Sequence, residues 1–455
     1  MSKRLIYRLV IGTLIFCPLS ACLGKDATDP NASSKYLDAV REFADNVLKY
    51  GRDTYGSKHT PLFVDGLNIH THEPVKWIAS NGDRWILSNL ASQQNLFRTL
   101  DGLTTITGDP KYRQAAMEAI EYAFENLRTP NGLLYWGIAA AYDAQGDRLA
   151  LPYRVGAQSL KWHYPYYELM WEVNPDATKQ FIEAYWSGLI LDWSNLDMNR
   201  STSDLKGPLL NQPWDHKYTG GPVYFETKAN GKAFISAGSD LSRAAALLYS
   251  LSGDREPLVW SKRLIHRYVE TRHPEVGISG SPYNRSRSDS AQYQFRNDFM
   301  GHFVLDGTFF PQAHLGLSNP MVRELSLGYL NVAPGIPYSI ISGPCWISQL
   351  ILGDMLGQDG AEFTQWALEE FTAIGKRAYR KNDNSFIPML IDGTSIEGYV
   401  CKRDGYFGAK GTTFNAIPAV PMDFWAYALA YRITEDEFMW EMAHNIDHVP
   451  SAVGG

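Results

Sequence analysis

Apolar residues recur at helical spacing along most of the chain, and short polar junctions interrupt this pattern repeatedly. At most junctions a helical stretch ends in Gly or Asn, an Asp follows, and a second helical stretch begins at once. Gly ends a helix because it adopts the left-handed conformation without strain, and Asp or Asn caps the next helix. The pattern predicts five helix–turn–helix pairs: 87–107 with 111–128, 160–173 with 177–192, 233–251 with 256–272, 342–356 with 362–379, and 422–433 with 438–446.

Long insertions separate these pairs, at 51–86, 195–232 and 274–318. Their unequal lengths exclude a solenoid, which would have short connectors and a fixed repeat. Two more helical stretches, 36–50 and 321–329, and a stretch of β character at 386–403 complete the pattern. We therefore predict an all-α fold, an (α/α) toroid of six or seven antiparallel helix pairs forming an incomplete barrel, with long loops and a small β hairpin.

The N-terminus has the organisation of an export signal. Three positive residues among the first eight precede an apolar run at 9–19, which is too short to span a membrane. The run ends in Leu19-Ser20-Ala21-Cys22, which resembles the bacterial lipobox, where the Cys becomes the lipidated first residue. An ordinary cleaved signal peptide is the alternative.

This organisation predicts a lipoprotein signal peptide at 1–22, a polar tether at 23–34 and a single catalytic domain at 35–455. The chain would be exported and held at the membrane by its lipid only. Leu23, the residue after Cys22, favours the outer membrane by resemblance to lipoprotein sorting patterns, and the sequence leaves open which face it occupies.

The amino-acid composition limits the classes of ligand that the protein is expected to bind. The 455 residues include 13 Trp and 26 Tyr, whose flat faces and polar tips suit stacking on sugar rings or filling a large helical core. The net charge of −7 and the lack of a basic stripe predict no nucleic-acid partner. An anionic substrate would need a cleft that is locally basic against the overall charge. The oligomeric state is left open.

The four cysteines and the absence of several well-known motifs limit the chemistry that the protein is expected to perform. Cys17 leaves with the signal peptide and Cys22 carries lipid, so Cys345 and Cys401 remain, either paired or separately buried. No P-loop, dinucleotide-binding glycine motif, HExxH or GxSxG occurs, which argues against nucleotide, zincin and serine-hydrolase chemistry. His70 and His72 form only an HxH pair. The sequence therefore requires no cofactor, and a divalent cation stays open.

Three segments concentrate residues suited to chemistry. In the helix at 160–171, which contains Trp162, His163 and Tyr167 lie one turn apart on one face. The loop at 195–232 is too long for a plain connector. Its candidates are Asn199, Arg200, Trp214, His216, Tyr218 and Tyr224. The alternatives are a satisfied core helix and a solvated loop.

The third segment is the loop at 281–303, where Arg residues offer the positive charge that an anionic substrate needs. Arg binds carboxylate through two parallel hydrogen bonds. The alternative is a surface loop in which Asp289 and Asp298 offset the Arg residues. The candidate substrate-binding residues here are Tyr283, Arg285, Tyr293 and Gln294.

Several collinear motifs resemble one bacterial family. They begin with Tyr50-Gly51-Arg52-Asp53-Thr54-Tyr55-Gly56 and Pro61-Leu62-Phe63-Val64-Asp65-Gly66-Leu67, and continue through 94–96, 103–109, Lys161-Trp162-His163, 238–241, 252–254 and Arg272-His273-Pro274. Together they span most of the chain after the tether. The family is the pectate-lyase-like group of bacterial polysaccharide lyases.

The resemblance implies an α/α toroid enzyme that cleaves beside a uronic acid by β-elimination. Such chemistry needs a group that neutralises the uronate carboxylate, a base that removes the C5 proton, and an acid that protonates the leaving oxygen. The base would be His163 or Tyr218, the acid Tyr218, Tyr167 or Tyr224, and the neutralising groups Asn199, Arg200 and His216. Relatives have an Asn-Arg-His triplet near this point, whereas Ser201 follows Arg200 here, so His216 would replace that histidine or the chemistry would differ.

Two other functions remain open at this stage. A glycoside hydrolase on the same ring, such as an unsaturated uronyl hydrolase, would use carboxylates as general acid and base. The candidates would be Asp83, Asp101, Asp215 and Asp306. A glycan-binding lipoprotein without catalysis would keep the aromatic platforms and tolerate loss of His163 and Tyr218.

Overall fold

Consecutive helix pairs make up most of the computed structural model. It describes residues 30–78, 82–136, 141–150, 165–199, 212–223, 225–227, 233, 235–280, 283–285, 313–314, 342–387, 389–390, 393, 395, 397–398, 400, 413 and 415–447. The helices are α1 (Pro30–Tyr50), α2 (Gln94–Thr107), α3 (Pro110–Asn126), α4 (Tyr167–Val173), α5 (Pro175–Leu189), α6 (Ile235–Ser252), α7 (Glu256–Val269), α8 (Ser342–Leu356), α9 (Ala361–Arg377), α10 (Pro421–Thr434) and α11 (Glu437–Asp447).

Short strands lie in the connections between helices. They are β1 (Trp77–Ile78), β2 (Arg84–Trp85), β3 (Leu87–Ser88), β4 (Ala141–Asp143), β5 (Arg148–Ala150), β6 (Ile190–Asp192), β7 (Asp197–Met198), β8 (Phe225–Glu226), β9 (Asn284–Arg285), β10 (Ala313–His314), β11 (Tyr379–Arg380), β12 (Ser385–Phe386), β13 (Met389–Leu390) and β14 (Ile417–Pro418). They form the small sheets β1-β2, β3-β4-β5, β6-β7, β8-β9, β10-β13 and β11-β12-β14. Only the β8-β9 pair among these is parallel.

The junction residues act as the sequence predicts. Gly108 ends α2 with a φ of 75°, and its N–H donates to the Thr104 carbonyl at 2.9 Å. Asp109 then caps α3 by accepting from the Lys111 N–H at 3.1 Å, with Pro110 in the first turn. Left-handed Gly and a short acceptor side chain satisfy backbone groups that a helix end leaves unpaired.

Two helices flank each of the five predicted junctions, but two first helices begin later than predicted. α2 begins at Gln94 rather than at 87, and α4 begins at Tyr167 rather than at 160. Residues 165 and 166 are not helical, so the predicted helix that would have carried both His163 and Tyr167 on one face is wrong.

The chain divides into two compact units, residues 1–178 and 179–455. In the second unit the first helices of successive pairs contact one another, α6 with α8 and α8 with α10. The second helices do the same, α7 with α9 and α9 with α11. Successive pairs therefore stand in an inner and an outer layer, which is the order of an α/α toroid, so the predicted fold class is confirmed.

The layers differ in composition as their positions require. Inner helix α8 buries Trp346, Ile347, Leu350 and Leu352 within two turns, so apolar groups occur around its circumference. A helix that is apolar on all sides is a buried helix, whereas an outer helix keeps one polar face. In the first unit, α3 packs against α2 and also contacts α1 and α4.

The long connections of the second unit all run the same way. Segments 190–234, 270–341 and 378–420 each lead from the end of a second helix to the start of the next first helix, whereas 253–255, 357–360 and 435–436 are short turns. Because the two helices of a pair are antiparallel, every long connection leaves from the same rim of this unit. Two of these connections contain the candidate loops at 195–232 and 281–303.

Arg272, from a motif that carries the family resemblance, ties the end of α7 to α9. Its Nε donates to Glu370 at 3.1 Å, and its guanidinium lies 5.4 Å from the Trp346 ring centroid. Fully buried Glu370 also accepts from the Ser279 hydroxyl at 2.8 Å. These bonds fix the start of the connection 270–341, so this motif has a structural role.

The predicted β character of 386–403 begins with β12 and β13, but the small hairpin lies earlier than predicted. β12 pairs with β11 across the short connection 381–384, so the hairpin spans 379–386. β12 also pairs with β14, and β13 pairs with β10, so small sheets join this hairpin to other connections. The predicted helix at 321–329 and the N-terminal segment with Cys22 lie outside the described residues. Within the described ranges, no helix combines the length and hydropathy that crossing a membrane requires.

We expect Gly238→Ala to destabilise the protein, because α6 and α7 approach closely at this glycine. A Cβ at Gly238 would lie 2.6 Å from Cε2 of buried Tyr268, with the Tyr268 hydroxyl closer still. Overpacking of this kind costs about 1–3 kcal/mol. The measurement is urea unfolding, with Gly102→Ala as control. Gly102 is helical with open space around its Cβ position, so that substitution should stabilise by about 0.5–1 kcal/mol. Equal midpoints for the Gly238 variant and the unsubstituted chain would contradict the close approach.

Candidate functional site

Residues from two separate predicted loops meet beside β7 in the second unit. Asn284, at the start of β9, donates from Nδ2 to the Asp197 carboxylate at 2.7 Å and to the Met198 carbonyl at 3.3 Å. Thr227 donates to the same carboxylate at 2.8 Å, and Asn284 Oδ1 accepts from the Ala233 N–H at 2.8 Å. We call Asp197, Thr227, Asn284 and the Ala233 N–H the buried polar network.

The buried polar network supports candidate residues on both loops. Asn284 and Asp197 are 0% and 1% exposed, so their hydrogen bonds form away from water and hold the two segments in one register. Asn199 follows β7 directly, and its N–H donates to the Leu189 carbonyl at 2.9 Å. Arg285 lies in β9 opposite Glu226 of β8. The structure therefore brings the backbone of Asn199 and Arg285 into one neighbourhood.

A cluster of tryptophans forms the adjoining wall. The ring centroids of Trp186 and Trp214 are 5.3 Å apart, and those of Trp193 and Trp260 are 5.0 Å apart, both edge to face. Their indole N–H groups bond within the protein: Trp214 donates to Glu183 at 3.0 Å and Trp260 donates to the Trp214 carbonyl at 2.8 Å. Trp214, predicted to bind substrate, is 6% exposed and is built into this wall.

His216 and Tyr218 stand on the accessible side of the tryptophan wall. His216 is exposed and stacks on Trp193 with centroids 4.7 Å apart and planes 15° apart. Tyr218 is half-buried, and its ring meets that of Trp260 edge to face at 6.0 Å. The structure thus places these two predicted site residues on one surface, against the outer helix α7.

Hydrogen bonds from both ends fix the loop that carries Tyr218. The Thr219 and Gly220 N–H groups donate to the Ser194 carbonyl at 2.8 and 3.0 Å. Buried Arg267 donates to the Gly221 carbonyl at 2.8 Å and to the Pro222 carbonyl at 3.0 Å. Its guanidinium also lies 5.5 Å from the Tyr283 ring centroid. Tyr283 is fully buried and donates to the Leu196 carbonyl, so this predicted binding residue supports the site from within.

Burial raises the pKa of Tyr218, while the nearby Arg267 and Arg263 guanidinium groups act in the opposite direction. The phenol is therefore protonated at neutral pH. A protonated phenol donates a proton rather than accepting one, so the environment of Tyr218 favours the acid role over the base role.

The remaining predicted site residues lie in the first unit or outside the residues that the structure describes. Tyr167 lies in α4 of the first unit and is 1% exposed. His163, Trp162, Arg200, Tyr224, Tyr293 and Gln294 lie outside the described residues, as do Cys401 and the side chain of Cys345. Their roles stay predictions.

The structure also locates the groups considered for metal binding and hydrolysis. His70 is exposed, and His72 stacks on Tyr50 with centroids 4.2 Å apart. Within the described ranges, no three His, Cys, Asp or Glu residues form a group that could hold a metal ion. Asp101 accepts from Tyr166 at 2.5 Å and is ion-paired with Arg113 in the first unit. Asp83 and Asp215 are exposed, and Asp306 is not described.

The structure adds residues that the sequence analysis missed. Trp260, Arg263 and Arg267 recur at i, i+3 and i+7 along α7, so they lie on one helix face beside the Tyr218 loop. The spacing alone predicts that these three residues share a helix face. It does not predict that this face packs beside the Tyr218 loop, which is about 40 residues earlier in the chain.

A family model described as periplasmic pectate lyase matches residues 60–450. The pectate disaccharide-lyase of Dickeya dadantii is 31% identical over 416 residues, which cover 86% of this chain and 72% of that protein.

The solved structures that match this chain have low sequence identity to it. A D-mannose isomerase has a TM-score of 0.46 at 11% identity, with 92% of this chain and 88% of that chain covered. The cellobiose 2-epimerase of Bacillus thermoamylovorans has a TM-score of 0.44 at 12% identity, with 91% and 86% covered.

The periplasmic description of the family agrees with the export predicted from the N-terminus. The family match covers most of the chain, and the curated relative matches over a similar length. The chain therefore belongs to the periplasmic pectate lyase family, and it is a polysaccharide lyase as the sequence predicted.

Proposed function

We propose that this protein cleaves a pectate-type uronic-acid polysaccharide by β-elimination at the surface that carries Tyr218. The observation that carries the proposal is the match of residues 60–450 to the periplasmic pectate lyase family. The relative from Dickeya dadantii is named for disaccharide release from pectate, and we extend that substrate class to this chain.

The proposed chemistry assigns one step to each group. A base removes the C5 proton, the C–H electrons form the C4=C5 double bond, and the C4–O4 bond breaks. Tyr218 gives its phenolic proton to the departing oxygen, in agreement with its raised pKa. Asn199 and Arg200 neutralise the uronate carboxylate, with His216 as a further candidate, and the base role predicted for His163 stays a prediction.

The support for the carboxylate site is the buried polar network. It holds the strand before Asn199 against the strand that contains Arg285 through the 2.7 Å bond between Asn284 and Asp197. Preorganised donors stabilise developing charge more effectively than mobile ones, because they need not reorient during the reaction.

The test incubates the full chain with a panel of polysaccharides and follows the ultraviolet absorbance of the conjugated double bond that elimination creates. The panel contains pectate, ulvan, alginate and glycosaminoglycans, each with and without chelator. Absorbance that rises fastest with pectate, and products sized as disaccharides, would support the proposal. New reducing ends without absorbance on every polymer would overturn it in favour of a hydrolase.

We further propose that Cys22 is lipidated and holds the protein at the outer membrane. The support is the run Leu19-Ser20-Ala21-Cys22 after a short apolar segment. In a bacterium with lipoprotein processing, Cys22→Ala should move nearly all of the protein from the membrane fraction to the soluble fraction. The matched control is Cys17→Ala, which lies in the predicted signal peptide and should change nothing. A Cys22 variant that stays in the membrane fraction would contradict the anchor.

A further inference from the structure

Arg263 differs from the other basic residues of its helix. Among the described residues around α7, Arg255 pairs with Asp359 at 3.0 Å, His266 lies 3.4 Å from Glu270, and Arg272 lies 3.1 Å from Glu370. Lys262 is paired with Glu362, and Arg267 with Glu270. The Arg263 side chain has no such carboxylate partner and no hydrogen bond within the described part of the chain.

The contacts that Arg263 does make are to aromatic rings. Its guanidinium carbon lies 4.7 Å from the Trp260 ring centroid and 5.1 Å from that of Tyr218. A cation–π contact attracts the guanidinium through the ring electrons and supplies no oxygen acceptor, so the N–H groups of Arg263 remain available to a ligand. The side chain is half-buried, so these contacts also restrict its rotamers before any ligand binds.

We propose that Arg263 binds a carboxylate of the uronic-acid substrate beside Tyr218. Its in-plane N–H groups match a carboxylate bidentately, and neighbouring rings exclude water from part of the contact. Exposed His216, stacked on Trp193, extends the same surface as a platform for a sugar ring. The inference rests on the proposed function of this surface and names the group that recognises substrate charge there.

The experiment measures KM and kcat of the full chain on a uronate polymer as the free acid and as the methyl ester. Because the carboxylate is bound in both ground and transition states, Arg263→Gln should raise KM for the free acid about 10- to 100-fold, with kcat little changed. The preference for the free acid over the ester should fall towards one. Arg263→Lys should restore part of that preference.

The matched control is Arg255→Gln at the N-cap of the same helix, where the guanidinium already pairs with Asp359. It should leave KM and the preference unchanged. An Arg263→Gln variant with wild-type KM and wild-type preference would overturn the inference while leaving the lyase intact. If the unsubstituted chain forms no unsaturated product, the proposed function fails instead. Retention on the immobilised free-acid polymer then decides the inference, which is overturned if Arg263→Gln is retained as strongly as the unsubstituted chain.

Discussion

Tyr218→Phe should lower kcat on the uronate substrate by about 10²- to 10⁴-fold, the usual contribution of a positioned acid or base. The substitution removes only the phenolic hydroxyl, so the leaving oxygen would depart without its proton donor. The ring stays, and with it the contacts to Trp260 and Arg263. We therefore expect KM and the unfolding midpoint to change little.

The control for this variant is Tyr249→Phe. The Tyr249 hydroxyl donates to Asp359 at 2.6 Å near the end of α6. The Tyr249→Phe variant therefore loses an equivalent hydroxyl, but one that has no part in the proposed chemistry. Its kcat should stay at the wild-type value. A Tyr218 variant with wild-type kcat would remove the acid role from this residue. Loss of polymer binding with kcat unchanged would indicate that the surface only binds glycan.

Asn284→Ala should reduce the free energy of unfolding by about 2–5 kcal/mol, because it removes one donor from a buried carboxylate and the acceptor of a buried backbone N–H. The Asp197 carboxylate, 1% exposed, would lose the donor at 2.7 Å, and the Ala233 N–H would lose its acceptor at 2.8 Å. Urea unfolding with an unchanged slope would report the loss as a lower midpoint. Activity measured below the midpoint should also fall, since Asn199 follows the strand that Asn284 holds.

A graded control comes from the same carboxylate. Thr227→Val removes the hydroxyl that donates to Asp197 at 2.8 Å. It should lower the free energy of unfolding by about 1 kcal/mol, clearly less than Asn284→Ala does. Equal midpoints for Asn284→Ala and the unsubstituted chain would show that the buried polar network does not hold these strands.

The helix pairs could be predicted because their signals are local. Gly108, Asp109 and Pro110 end one helix and start the next through bonds that span only a few residues. The inner layer was predictable only in part. Apolar residues on all sides of α8 predict that this helix is buried, but its contacts with α6 and α10 depend on residues far along the chain.

The candidate site shows where sequence reasoning stopped. Asn284 and Asp197 are 87 positions apart, and no local sequence pattern indicates that the Asn284 amide donates a hydrogen bond to the Asp197 carboxylate. Trp214 and Tyr283 looked like substrate platforms because exposed and buried aromatic residues have the same sequence signature, whereas the structure buries both. Arg263 was overlooked because a helix with several basic residues resembles a solvated face. What distinguishes Arg263 is that no carboxylate among the described residues pairs with it, which only the fold reveals.

Product analysis in water labelled with heavy oxygen tests the central claim most directly. β-Elimination adds no water. Each cleavage should therefore leave one new end with a C4=C5 double bond and one new reducing end that keeps the substrate's own oxygen, with label on neither. Mass spectrometry of the products at early times reads both features in one spectrum. One labelled oxygen gained per cleavage, at the new reducing end, with no unsaturated end on the other fragment, would contradict the account and identify a hydrolase.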